Sequence, residues 1–262
     1  MLICRPAKAN SLPRKNQRPL KAASGGKSLA HLAAAAARRA AFVALVRSAH
    51  GGADGKAHLL AWLFLHVVQG GRVLTLGQRG RPALRAPFNH PADVAVARNG
   101  DIYVADGYGN SSVHRFSVDG KHLGTWGGPG LGGGQFTTPH GIWVDARDRI
   151  FVADRENNRV QLFSPEGDFY GEWGDLYKPM DIYIDPAGTV YVTDQIPRIT
   201  MFSPDGLMLA RGRPVTIGAH GVWGDSRGNL YLAEVGVHQV TKLVRRPPAD
   251  GATPSAPARR AS

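Results

Sequence analysis

Four side chains in this 262-residue sequence are of types that do chemistry together. His140 and His220 each follow a small or imino residue, Pro139 or Ala219, and each precedes a glycine. Imidazole is the commonest protein ligand for zinc, and a catalytic zinc usually takes three protein ligands and keeps one position open. Tyr108 lies in the run DGYGN and Arg155 in DRENN. Near a metal, a phenol can act as general base and a guanidinium as anion clamp. A plainer reading stands beside each. A histidine can be an inner-strand residue satisfied by a neighbouring carbonyl, and Tyr108 and Arg155 can be turn residues, the arginine paired with an acid such as Glu156.

These residues recur in register. Pro91, Pro139, Pro179 and Ala219 form one column, spaced by 48, 40 and 40 residues. A second column reads IYVAD, IFVAD, VYVTD and LYLAE (Ile102, Ile150, Val190 and Leu230 onward), and a third VHRFS, VQLFS, ITMFS and VTKLV (Val113, Val160, Ile199 and Val240 onward). Asp119-Gly120, Glu166-Gly167 and Asp205-Gly206 are turn pairs in register, each opening a last strand that ends at Trp126-Gly127 or Trp173-Gly174 in two copies. β-Branched and aromatic runs bounded by such turns read as strands. Four strands at a period of about 40 residues predict a β-propeller, because a four-stranded blade cannot bury both apolar faces alone and stacks around an axis.

In that architecture the residues after the proline column, Ala92, His140, Met180 and His220, lie at equal radius on the strand that lines the channel. His140 and His220, two blades apart, then face one another and look like parts of an axial metal site. His90, His114, His122 and His238 are expected at the surface. Asp106, Asp154 and Asp194 recur in nearly every copy and read as structural turn residues rather than a catalytic set.

The clear repeats run from about Phe88 to Arg245, four blades, with a stray strand at Arg72–Gly77 that reads as the close of a preceding blade. Residues 71–245 are assigned to the propeller, 1–70 to a basic head and 246–262 to a disordered Pro/Ala/Arg-rich tail. Residues 1–60 carry 11 Lys/Arg against the single acid Asp54, so most of the formal +12 sits in the head and the propeller is nearly neutral. Two head stretches are helix-like or apolar, Ser28–Val46 and His58–Val68; the second is too short to span a membrane as a helix, which needs about 20 apolar residues. The head fits an organellar transit peptide, a nucleic-acid or membrane-surface arm, or a mistranslated stretch in the wrong frame. Cys4 is the one cysteine, which excludes an intrachain disulfide and a cysteine-type metal site.

The repeats resemble NHL repeats. More narrowly, the run DVAV, GDIYVADGYGNSSVHRF, GQF, PHGIWVD and VADRENNRVQLF is similar to the peptidyl-α-hydroxyglycine α-amidating lyase family. That resemblance covers about Arg72 to Arg245 and implies a six-bladed, zinc-dependent carbon–nitrogen lyase that cleaves an α-hydroxyglycine-extended peptide to the amide and glyoxylate. It places two of three zinc histidines on His140 and His220, the proton-accepting tyrosine on Tyr108 and the carboxylate-holding arginine on Arg155. A structural Ca2+ is left open beside the Zn2+.

The sequence also departs from that family. No PHG motif precedes the DGY blade, so the third zinc histidine has no counterpart; His58 and His66 lie nearby without blade context. Ser112 stands where relatives usually have arginine, and Gly109 where animal members have cysteine. As written, the chain is expected to be a poor enzyme. The competing class is a non-catalytic NHL protein-binding scaffold, to which matched axial histidines would be of no use. A calcium-dependent lactonase-type hydrolase would want axial carboxylates and asparagines in place of histidines, and the histidine column offers none. The expected partner is a peptide or small molecule in the channel, for a monomer without nucleic acid or a transmembrane segment. The compartment stays open between the cytoplasm, which is favoured, and an organelle.

Overall fold

A computed structural model describes residues 2–5, 64–69, 72–77, 88–214 and 218–246. Each repeat folds as an antiparallel four-stranded sheet whose strands follow one another from the axis outward. The first comprises β4 (Asp93–Val96), β5 (Ile102–Asp106), β6 (Ser112–Phe116) and β7 (His122–Gly127). The second comprises β8 (Pro139–Val144), β9 (Ile150–Asp154), β10 (Arg159–Phe163) and β11 (Phe169–Trp173). The third comprises β12 (Pro179–Ile184), β13 (Val190–Asp194), β14 (Ile199–Phe202) and β15 (Met208–Gly212). The fourth has β16 (Gly221–Gly224), β17 (Leu230–Glu234) and β18 (Gln239–Arg245), and its outer place is taken by β1 (Leu2–Arg5) in antiparallel register, Leu2 opposite Arg245.

Burial tracks position in the blade. The second strands β5, β9 and β13 are buried at every residue, because neighbouring blades cover both faces. The outer strand β15 is exposed throughout. Apolar clusters fill the gaps between consecutive sheets: Tyr103, Phe136, Ile150 and Phe163 between the first and second, Phe151, Ile182, Val192 and Phe202 between the second and third. Burying one such side chain contributes about 1.5–3 kcal/mol, which is why the blades stack instead of standing alone.

The turn glycines and the terminal tryptophans are one packing device. Gly167 has φ +99, and a Cβ there would lie 2.7 Å from the Trp126 ring of the preceding blade; Gly206, at φ +90, has the same relation to Trp173. Glycine at that turn thus serves both the left-handed backbone and the seat for a neighbour's indole.

The stretch expected to be a lone closing strand is half of a hairpin. Arg72–Gly77 (β3) pairs with β2 (Phe64–Gln69), so the part of the apolar His58–Val68 stretch that is described is strand and not helix. Leu74 and Leu76 of β3 pack on Phe88, Val94, Ile102 and Phe116 of the first blade. Ser28–Val46, His58 and the tail from residue 247 lie outside the described residues. Among the described residues, no helix is long and apolar enough to cross a membrane.

Candidate active site on the propeller axis

Two of the inner strands, β8 and β12, open at the proline column with an irregularity. Pro139 pairs with Asp154 and Ile142 with Val152, so the register slips across His140-Gly141. A slip between Pro179 and Asp181 does the same in the next blade. A bulge turns a side chain out of the sheet's alternation, here at the residue facing the axis. His140 is held there by a hydrogen bond between its Nδ1 and Met180 O, 2.7 Å away in the next blade. A carbonyl only accepts, so Nδ1 carries the proton and Nε2 presents its lone pair.

That lone pair faces Tyr108, whose hydroxyl donates to His140 Nε2 at 2.8 Å, with the two rings edge to face. Tyr108 reaches it because its loop lies directly on the next blade: a Cβ on Gly107 would fall on Pro139 O. The ring of His220 stands 4.8 Å from that of His140, centroid to centroid, although a whole blade separates them in sequence. Arg155 enters from the loop after β9, its backbone N–H bonded to Thr138 O. Asp154 anchors that loop, its side chain accepting from Thr137 N, Asn157, Arg159 and Gln161.

The electrostatics follow from burial. His140 is 3% exposed, and desolvation, the neighbouring His220 and the Arg155 cation hold its pKa down at about 4, against a smaller upward pull from Met180 O. It is a neutral imidazole at pH 7. Burial pushes the Tyr108 phenol up, and Arg155 opposes this by charge and hydrogen bonding. The structure therefore brings His140, His220, Tyr108 and Arg155 into one cluster drawn from three blades. For a zinc ion the donor chemistry fits: His140 has its tautomer fixed by a carbonyl, the usual arrangement for a ligating histidine. Among the described residues no group of three His, Cys, Asp or Glu side chains could hold a metal, so the third ligand of the expected set is not among them.

Three expectations change. His114 is fully buried, not at the surface: it bonds Asp106 and Thr125, at the position where the second blade has Gln161 bonding Asp154. His90 is half-buried, with Nδ1 bonded to Asn89 and Nε2 shielded from solvent; His122 and His238 are exposed. The axis also carries carboxylates, one residue beyond the histidine column. Asp93 accepts from Ile142 N and Asp181 from Val222 N, each across to the following blade. Burial raises both, Asp93 also through the charge of Asp181. The signal was the alternation of Asp93 and Asp181 with Gly141 and Gly221, visible only when the neighbouring column is read as well.

Comparisons with known proteins agree with this architecture. The model of the NHL repeat matches residues 88–116 and 136–163. Human NHL repeat-containing protein 3 is 28% identical over 187 residues, which cover 65% of this chain and 54% of that protein. Peptidyl-alpha-hydroxyglycine alpha-amidating lyase 1 of Drosophila melanogaster is 28% identical over 212 residues, 66% of this chain and 38% of the lyase. A probable lyase of the same description from Caenorhabditis elegans is 40% identical over 103 residues, 37% of this chain and 29% of that protein. The match thus spans about half the length, or less, of these curated relatives. Among solved structures, virginiamycin B lyase from Staphylococcus aureus superposes with a TM-score of 0.52 at 13% identity, covering 71% of this chain and 61% of the enzyme. The WD40 β-propeller domain of Doa1 gives 0.55 at 14% identity, covering 70% and 58%. At such identities these two speak for the fold alone. Two of the repeats, at residues 88–116 and 136–163, match the NHL repeat, and the chain builds a β-propeller whose curated relatives include amidating lyases.

Proposed function

We propose that the axial cluster serves a lyase reaction of the amidating type, cleaving an N-acyl-α-hydroxyglycine to the amide and glyoxylate. One observation carries this reading: Tyr108, Arg155, His140 and His220 come from three blades and meet within hydrogen-bond and ring-contact distance. In this reading Arg155 takes the substrate carboxylate as a fixed cation. Tyr108 Oη, once its own proton has been released, takes the proton of the α-hydroxyl; the His140 Nε2 lone pair that accepts the phenol's hydrogen bond here is the one that zinc would take. As the hydroxyl oxygen forms its second bond to carbon, the C–N bond breaks and the leaving nitrogen takes a proton, giving amide and aldehyde. His140 and His220 would hold zinc with a ligand from outside the described residues, and zinc when bound would polarise the substrate oxygen as a Lewis acid.

The test is glyoxylate release from an N-acyl-α-hydroxyglycine by the purified full chain, with metal content measured in parallel. His140→Ala and His220→Ala are expected to lower zinc content, and Tyr108→Phe to lower turnover at unchanged zinc content. Unaltered zinc in both histidine variants would end the metal-site reading. The second reading, a non-catalytic binding scaffold, draws on the match to NHL repeat-containing protein 3, whose name assigns it no reaction. Absence of turnover in a zinc-replete chain would favour it.

A further inference from the structure

Arg155 is not the only charge at this mouth. Its neighbour Glu156 has one carboxylate oxygen 3.2 Å from Arg155 Nε and the other 2.8 Å from Lys178 Nζ, a lysine of the next blade. All three side chains are largely withdrawn from solvent, with 18%, 30% and 32% exposure for Arg155, Glu156 and Lys178. At that burial, salt screens the interaction much less than it would at the surface.

The two contacts of Glu156 are unequal. Its approach to Lys178 has the length of a charge-assisted hydrogen bond. The approach to Arg155 is longer, and Arg155 Nε, buried, completes no hydrogen bond in this geometry. Lys178 is also pinned where it stands: it has φ +47, its N–H donates to Asn158 Oδ1 at 2.9 Å, and its carbonyl accepts from Gln195 N. The corresponding residues before the first two inner strands are His90 and Thr138, which share the left-handed backbone but not the ammonium. A left-handed backbone disfavours lysine, so its side chain is the feature to explain.

We propose that Lys178 is a specificity-determining residue that draws the Glu156 carboxylate to itself, so that Arg155 keeps an uncompensated positive charge for a substrate carboxylate. The inference rests on the reading of Arg155 as the carboxylate clamp. Two cations and one carboxylate leave one net positive charge at the mouth, matched to one carboxylate of the ligand. Without Lys178, Glu156 has Arg155 as its remaining cation and closes on it as an internal competitor.

The experiment compares two probes on the full chain by calorimetry, N-acetylglycine and its neutral isostere N-acetylglycinamide. Wild type is expected to prefer the carboxylate. Lys178→Met is expected to reduce that preference about 3- to 10-fold, the range for losing a half-buried charge contact when tenfold corresponds to 1.4 kcal/mol. Glu156→Gln should strengthen it, and Lys178→Met combined with Glu156→Gln should restore at least the wild-type preference. A lysine that only braced the loop would weaken both probes alike and would not be rescued. Preference retained in Lys178→Met, or a double variant as weak as the single, overturns this role for Lys178 while leaving the clamp standing. No preference in wild type overturns both.

Discussion

Replacing Asp154 by alanine tests the account of the Arg155 loop at its root. The Asp154 side chain is fully buried and accepts four hydrogen bonds, from Thr137 N at 2.8 Å, Asn157 Nδ2 at 2.8 Å, Arg159 Nε at 2.8 Å and Gln161 Nε2 at 2.9 Å. Arg159 is itself almost buried, so the substitution strands a guanidinium in the blade. Breaking a buried ion pair from one side costs about 3–5 kcal/mol. Arg159 keeps Glu172, Gly132 O and Gln135 O, and Gln161 keeps Gln135 O, which moves the expectation to about 3–4 kcal/mol, the lower end of that range. The equivalent Asp106 has no arginine: its partners are Asn89 N, Asn110 and His114. Asp106→Ala leaves no buried guanidinium behind and should cost about 1–3 kcal/mol. Guanidinium unfolding followed by tryptophan fluorescence, extrapolated linearly to water, measures both. A loss below about 1 kcal/mol for Asp154→Ala, or a larger loss at Asp106, would refute the claim that the buried charge partner sets the cost.

Two further outcomes follow from the same coordinates. Burial, with Asp101, Glu166 and Asp148 near Tyr103 and Asp185 near Tyr191, pushes both phenols up to about 12. Because the folded chain holds these protons more tightly than the unfolded chain, whose tyrosines titrate near 10, the stabilisation is fully present below about pH 10 and is lost as the pH rises to about 12. Tyrosinate absorbance should show two phenols that resist ionisation until the chain unfolds; ionisation of all of them near pH 10 in folded protein would contradict this. Gly141→Ala places a Cβ 2.7 Å from Asp181 Cα and 2.8 Å from Met180 O, atoms that cannot rotate away, and should cost about 1–3 kcal/mol. Gly221→Ala meets nothing closer than 3.5 Å and should stay within about 0.5 kcal/mol, so equal effects would show that the space around these glycines is misjudged.

The fold was legible because period and turn chemistry say the same thing. IFVAD followed by DRENN and a second β-branched run allows little besides a hairpin, and its recurrence in VYVTD fixes the blade. The meeting of Tyr108 with His140 was legible as loops on adjacent blades, though not the hydroxyl-to-imidazole bond, which depends on Gly107 lying against Pro139 O. His114 was misjudged because an outer-strand histidine looks like a surface residue until one knows that it stands in for Gln161 beneath a buried aspartate. Asp181 was missed for a related reason: a bulge between Pro179 and Asp181 shifts which residue of that inner strand faces the axis, and bulges leave little trace in residue type; Asp93 lies one residue past the column that was read. The pairing of β2 with β3, and of β1 with β18, brings in β2 and β1, segments whose local sequence carries no blade pattern.

The aspartate latches divide the described blades into couples. Asp93 ties the first blade to the second and Asp181 ties the third to the fourth, whereas the second blade has Gly141 where a latch would be and meets the third through His140 and Met180 O. Each couple is thus a donor of a carboxylate followed by a bearer of a histidine and a glycine. Anyone lengthening or shortening this propeller by design would therefore work in steps of two blades: one blade alone would put a carboxylate against a carboxylate-bearing neighbour, while a couple would repeat both the latch and the axial imidazole in phase.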